Sequence, residues 1–415
     1  MVFFLPSKPV GSLQPFSSPD PHALRADMTD FDSELSYPDD FDIAPVRLTV
    51  DLGALGDNWR QMARRSGTAR TAAVVKADAY GLGLEDCGIT LYEAGARDFF
   101  VAVVQEGMTL RTYAPDARIY VLSGIWPGQE RMFFEHDLVP VLASEEQLAF
   151  WMSVTSEYGD HPCALQVDTG FNRLGLPLED AIAFANDVSR PASFSPVLVL
   201  SHLHSGDTPS SPLNQKQLSA FQRVAEAFEG IETSLSASAG IFLGPDYHFD
   251  LTRPGIALYG GEAVAGVPNP MKPVAKAEAR IIQIRDGKKG ETVSYGGTYQ
   301  LSRDSRLAVV SAGYADGYKR ALSGSGVPLR KTVAQGGFGF VAGRKVPVIG
   351  RITMDLTIFD VTDIPASNIQ AGDYVELFGP NVALDDVARA AGTIGYELLT
   401  SLGLRYERRY IYPDD

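Results

Sequence analysis

The stretch "AVVKADAYGLG", residues 73–83, decides how the rest of the chain is read. It begins as an apolar run of the kind that forms a buried strand. It then meets one cation, Lys76, followed by small residues, a tyrosine and two glycines. A lysine is costly to bury unless it is paired, deprotonated or covalently used. On this stretch alone, a strand-end lysine reaching water explains the pattern equally well. Seven more short apolar runs follow: "DFFVAVV", "RIYVLSG", "LVPVLAS", "ALQVDTG", "VLVLSHLHSG", "TSLSASAG" and "RPGIALYG". Between them lie amphipathic stretches with helical spacing, among them "EDCGITLYEAGA", "SEEQLAFWMSV" and "NQKQLSAFQRVAEAFEG". Strand–helix alternation at this spacing means a parallel sheet, and about eight repeats predict a closed (β/α)8 TIM-type barrel over residues 46–272. Lys76 then stands at the C-terminal end of the first run, on the face where such barrels carry their chemistry.

The flanks read differently. Ordered structure is expected to begin at "VRLTVDLGALGDNWRQMARR", an alternating strand and a helix that Asp51 is placed to cap. Residues 1–45 are rich in Pro, Ser and Asp and read as an acidic extension. After residue 272, runs such as "AKAEARIIQIRDG", "RLAVVSAG" and "AGDYVELFG" are separated by glycine and charged turns with few helices. That pattern predicts a second, mainly antiparallel β domain over 273–415.

Bulk properties narrow the function classes. The chain has 415 residues, 45% hydrophobic and 21% charged, enough for two domains with real cores. A formal net charge of −15 argues against nucleic acid or an anionic membrane surface as partner. No run approaches the length of a spanning helix, and the N-terminal stretch lacks the basic region of a signal peptide. The two cysteines, Cys87 and Cys163, give neither a disulfide framework nor metal-type spacing, and a reducing cytoplasm is the expected compartment.

With Lys76 in place, six further motifs can be set beside it: "DTGFNRLG" (168–175), "SHLHSGD" (201–207), "RPGIALYG" (253–260), "VSYGGTY" (293–299), "GYADGYKR" (313–320) and "GRITMD" (350–355). In this order, over nearly the whole chain from residue 46, they resemble the alanine racemase family. The resemblance implies a pyridoxal-phosphate enzyme that interconverts L- and D-alanine for peptidoglycan, working as a head-to-tail homodimer with shared active sites. Lys76 would carry the cofactor and then serve as a base. Tyr295 would be the second base, entering from the partner subunit. A phenol titrates about 3 units above neutrality, so a tyrosine used as a base needs about 4 kcal/mol of help from its neighbours. His202 is the implied neighbour, joined to an arginine network. Arg253 would face the pyridine nitrogen, leaving it unprotonated and weakening the electron sink, which disfavours side reactions. Tyr80, Ser238 and the N–H groups of Gly255 and Ile256 would bind the phosphate. Arg173 would hold the cofactor's phenolic oxygen or the substrate carboxylate, and Met354 would bind that carboxylate through its backbone N–H. Tyr314, Asp316 and Arg320 would line the entrance.

Departures from the family pattern are visible. Gln166 stands where some members carry a lysine, so a neutral amide has to position Arg173. Ala237 precedes Ser238 where an Asn is common, Leu82 replaces a frequent His, and Leu404 replaces a phosphate-contacting tyrosine. His202, His204 and Asp207 could be read as a metal set, but no third strong ligand is evident and none is needed, so no metal is expected. Rival readings are a racemase of serine or broader range, a one-barrel cofactor-binding protein without turnover, and a decarboxylase on the same architecture. The second β domain with Tyr295 speaks against the binder. Arg253, and the absence of a cysteine beyond Cys163, speak against the decarboxylase.

Overall fold

A computed structural model of the chain describes residues 39–187, 194–324 and 336–413. Most of the acidic extension expected over 1–45 therefore lies outside the described residues; Asp40–Ile43 form one helical turn.

The first seven apolar runs contribute strands to the barrel; the eighth, "RPGIALYG", is a turn, and the strand expected there is Leu251–Thr252, just before it. Its parallel strands run Arg70–Thr71 with Ala73–Val74, then Asp98–Val101, Arg118–Val121, Leu138–Leu142, His161–Asp168, Phe194–Leu200, Glu232–Ser234 and Leu251–Thr252. The ring closes because Leu251–Thr252 pairs in parallel with Arg70–Thr71. On its other side, Asp250 N donates to Thr233 O at 3.0 Å and Arg253 N to Ser236 O at 2.8 Å. Asp98–Val101 and Leu138–Leu142 are buried at every position, as strands covered on both faces must be. Helices alternate with the strands where the periodicity put them: Leu84–Ala94, Val104–Arg111, Glu145–Tyr158, Leu178–Ala185 and Pro212–Ala227. Ser144 and Ser211 cap two of them by accepting backbone N–H groups with their hydroxyls.

The second sheet is organised on the long strand Ala275–Gly287. It pairs antiparallel with Val46–Asp51, Ser305–Val310 and Tyr374–Phe378. The last strand, Tyr406–Ile411, lies parallel to Val46–Asp51. Thus the first strand of the described residues belongs to the second sheet, and the helix Leu52–Ser66, capped by Asp51 Oδ1 accepting from Ala54 N at 2.7 Å, carries the chain into the barrel. Both cysteines are buried, and burial pushes their thiols up. Among the described residues, no helix is long and apolar enough to cross a membrane, and no group of His, Cys, Asp or Glu could hold a metal ion.

Candidate active site

Lys76 follows the strand Ala73–Val74 by two residues and opens an unusual turn. Ala77, Asp78, Ala79 and Tyr80 all adopt left-handed backbone angles, with φ between 50° and 59°. None is a glycine, so each is held at a cost of about 1–2 kcal/mol that the surroundings must offset. Glu106 does part of this: its Oε1 accepts from Ala77 N at 2.7 Å and its Oε2 from Ala102 N at 2.7 Å. Asp78 Oδ1 accepts from Leu84 N at 2.7 Å and ties the turn to the next helix. Burial first, then the Arg173 cation, hold the Lys76 ammonium below the usual lysine range, against a weaker opposite pull from Glu106. A depressed ammonium is what a lysine needs to act as nucleophile and base near neutrality.

Beside it stand Arg173, His202 and Arg253, and among the described residues Arg253 bonds to no carboxylate. Arg253 is only 4% exposed. Its Nη1 donates to Ser234 Oγ and its Nη2 to Ser201 O at 2.5 Å. Burial lowers its pKa to about 10, so it remains a cation at neutral pH. His202 is driven down to about 3 by burial and then by Arg253, Arg173 and Lys76, so its imidazole is neutral. Its ring meets Phe171 edge-on at 5.6 Å, while the Arg173 guanidinium lies 4.1 Å from the centre of the same ring. Gln166, Phe171, Arg173, Ser201 and His202 line one cleft. Gln166 Nε2 donates to Leu174 O at 2.9 Å, so the amide fixes the backbone beside Arg173 rather than its guanidinium.

The phosphate-binding candidates also converge. Ser238 Oγ accepts from Gly255 N at 2.9 Å and from Ala257 N at 3.3 Å. The N–H of buried Ile256 has no acceptor among the described residues. A Cβ on Gly255 would lie 2.2 Å from Tyr80 Oη, so only glycine lets the tyrosine approach this loop. Tyr80 is fixed by stacking on Tyr259 at 4.5 Å and by Tyr396 at 5.8 Å. A hydroxyl with its own proton still to place, an orphaned buried N–H and a phenol at one barrel mouth fit an oxyanion. A buried guanidinium with no carboxylate fits a ring nitrogen that accepts a hydrogen bond. The residues present therefore fit pyridoxal phosphate.

The second domain's candidates lie elsewhere in the chain. Tyr295 is 71% exposed and, among the described residues, hydrogen-bonds to neither Lys76 nor His202. Its turn is fixed from below: Ser294 Oγ donates to Arg351 O at 2.6 Å, and Val293 packs in a small cluster with Leu301, Leu307 and Ile349. Met354 is exposed as well, and its N–H has no acceptor among the described residues. Tyr314 and Arg320 are exposed, but Asp316 is buried and accepts from Gly313 N at 2.9 Å and from Arg405 Nε at 2.7 Å. These bonds hold its loop. Leu404 is 97% exposed and offers the barrel mouth nothing polar. Sequence reasoning missed Glu106, although its place three residues after Val103, at a helix start, was a cue. It also missed Tyr396, and Phe100, whose ring centre lies 5.8 Å from the Arg253 guanidinium; neither carries a mark beyond being aromatic.

Comparison with known proteins places the chain in a family. Residues 50–263 match the family model described as the alanine racemase N-terminal domain, and 274–410 the alanine racemase C-terminal domain. A relative named "Alanine racemase, biosynthetic" from Agrobacterium fabrum (strain C58) is 73% identical, covering 94% of this chain and all of its own. A second protein of that organism, "Alanine racemase, catabolic", is 43% identical over 89% of this chain and 93% of its own. The crystal structure of alanine racemase from Bartonella henselae with covalently bound pyridoxal phosphate superposes with a TM-score of 0.81 at 38% identity, covering 89% of this chain and all of that one. With both halves matched in order and the barrel mouth furnished as described, the chain belongs to the alanine racemase family.

Proposed function

We propose that the chain interconverts L-alanine and D-alanine by a two-base mechanism, with Lys76 on one face of the substrate and the partner subunit's Tyr295 on the other. Racemisation of alanine on pyridoxal phosphate is the activity of the family; the residue roles are the inference. The observation that carries it is the half-buried Lys76 amine, held below its usual range beside a neutral His202 and a buried, carboxylate-free Arg253.

Pyridoxal phosphate, when bound, supplies the electron sink that makes an amino acid's α-proton removable. Lys76 would hold its aldehyde carbon, Arg253 its ring nitrogen, and Tyr80, Ser238 and the N–H groups of Gly255 and Ile256 its phosphate. Arg253 stays charged, so it would donate to the ring nitrogen without protonating it and keep the sink weak. Lys76 Nζ would also take or give the α-proton on its own face of the substrate. Tyr295 Oη would do so on the opposite face, and His202, kept neutral by burial and by Arg253, would accept a hydrogen bond from that phenol. Arg173 and the Met354 N–H hold the substrate carboxylate.

The exposure of Tyr295, Met354 and Tyr314 in a single chain supports a head-to-tail homodimer in which 273–415 of each subunit completes the other's barrel site. The greater likeness to the biosynthetic than to the catabolic relative supports a cytoplasmic role in supplying D-alanine for peptidoglycan.

The test is complementation. Lys76→Ala and Tyr295→Phe homodimers should each be inactive in a chiral assay, and Tyr295→Phe should keep the borohydride-sensitive absorbance of the lysine-bound cofactor. Unfolded together and refolded, half the dimers are mixed, and each mixed dimer has one of its two sites intact. Activity should return to about a quarter of wild type. No recovery, or full turnover in Tyr295→Phe alone, would remove the shared two-base site.

A further inference from the structure

The strained turn after Lys76 is held at its exit as well as by Glu106 at its start, and this second grip comes from the strand Tyr406–Ile411 of the same chain. Along Tyr406–Ile411, residues 406, 408 and 410 share one face. Tyr410 Oη donates to Leu82 O at 2.9 Å, and Arg408 Nη2 donates to Gly81 O at 3.3 Å. The approach is close enough to exclude side chains. A Cβ on Gly83 would stand 2.2 Å from Tyr410 Oη, and one on Gly81 would stand 2.6 Å from Leu399 O. From the adjoining helix Gly395–Leu399, Tyr396 reaches the ring of Tyr80, the last left-handed residue.

We propose that Tyr410, assisted by Arg408, is a positioning residue for Lys76: the second domain clamps its own chain's left-handed turn and so fixes where the amine stands. The inference rests on the reading of Lys76 as the cofactor-bearing base. It gives residues 273–415 a second duty, performed in cis, beside the contribution to the partner. The physical reason is simple. Four consecutive left-handed residues without glycine relax toward ordinary backbone unless carbonyls at the turn's exit are held, and these two donors hold the carbonyls of Gly81 and Leu82.

The experiment compares full-length wild type, Tyr410→Phe, Arg408→Met and Arg408→Lys, each with and without cofactor. Amide hydrogen exchange is read on the peptide spanning 76–84, with the barrel strand His161–Asp168 as control. In cofactor-free Tyr410→Phe the turn should exchange about fivefold faster, the effect of one lost hydrogen bond, with the control unchanged. Arg408→Met should do the same, and Arg408→Lys should restore protection. In the loaded enzyme kcat should fall while KM for alanine holds, and the pH midpoint of the lysine-bound cofactor's absorbance should move. Unchanged exchange in the turn, or equal loosening of turn and control, overturns the clamp. Borohydride trapping of wild type followed by peptide mapping tests the underlying reading separately: cofactor found anywhere but Lys76 sinks that reading, whatever the exchange data say.

Discussion

Gly255→Ala isolates the phosphate cradle. The added Cβ would sit 2.2 Å from Tyr80 Oη, 3.1 Å from Tyr80 Cζ and 3.5 Å from Val74 Cβ. Gly255 is not in the left-handed region, so alanine meets no backbone penalty and the whole effect is steric. Tyr80 cannot swing aside. It is buried and stacked 4.5 Å from Tyr259, whose own hydroxyl donates to Val74 O at 3.0 Å. Overpacking of this kind costs about 1–3 kcal/mol. If the displaced phenol also stops donating to the phosphate, a charge-assisted hydrogen bond of about 1.5–3 kcal/mol goes with it, weakening cofactor binding about 10- to 150-fold. The assay is titration of cofactor-free protein with pyridoxal phosphate, alongside thermal denaturation. The double variant Gly255→Ala/Tyr80→Phe separates the two effects. Removing Oη leaves the Cβ against Cζ at 3.1 Å, a contact relieved by a few tenths of an ångström, so melting temperature should recover while affinity stays low. Wild-type affinity in Gly255→Ala, or affinity restored in the double variant, would refute the assignment of Tyr80 to the phosphate.

At the barrel's opposite end, Arg70 bridges Asp98 and Glu232, and Arg118 also reaches Glu232 at 3.1 Å. The hydrogen bond from Arg70 holds the Glu232 carboxyl below the usual range, so its contribution is present above pH about 4.5 and is lost as pH falls through the folded-state value. Because the group is about one-third exposed, Glu232→Gln should cost only about 0.5–1 kcal/mol at neutral pH, and its denaturation midpoint should converge with wild type in acid. Ala77→Gly should break the usual rule for alanine-to-glycine changes. Relief of about 1–2 kcal/mol at φ 55° outweighs the roughly 0.5–1 kcal/mol entropic cost of glycine, so urea unfolding should show equal or slightly greater stability. A clear destabilisation there would mean the left-handed turn is not strained. Lys76→Ala should lose the borohydride-sensitive absorbance and turnover together while still melting as a folded protein.

The barrel was readable because most of its strands are short apolar runs whose neighbours in sequence are also their neighbours in space; the polar Glu232–Ser234 and the two-residue Leu251–Thr252 are exceptions. The second domain's antiparallel character was readable from its glycine and charged turns. What could not be read were pairings over long separations. Nothing in "VRLTVD" distinguishes a barrel strand from one that pairs with Ala275–Gly287 and Tyr406–Ile411, which come more than two hundred residues later. Lys76, His202, Arg253 and Ser238 were legible as chemistry, and the structure brings them to one barrel mouth. The left-handed turn was not legible, since in "ADAY" only Asp78 belongs to a type that tolerates positive φ, and Ala77, Ala79 and Tyr80 do not; Glu106, Tyr410 and close glycine contacts hold the conformation. The Gln166 bond to Leu174 O and the burial of Asp316 depend on loop paths that periodicity does not encode.

The pairing of Val46–Asp51 with Tyr406–Ile411 also sets a timetable for the growing chain. During synthesis at about 5–20 residues per second, the earlier strand waits on the order of tens of seconds before its last neighbour emerges from the ribosome. Until then one of its edges stays open to foreign strands. Cells making this protein quickly, or making it truncated before residue 406, should accumulate it in inclusion bodies even though every barrel element is already present.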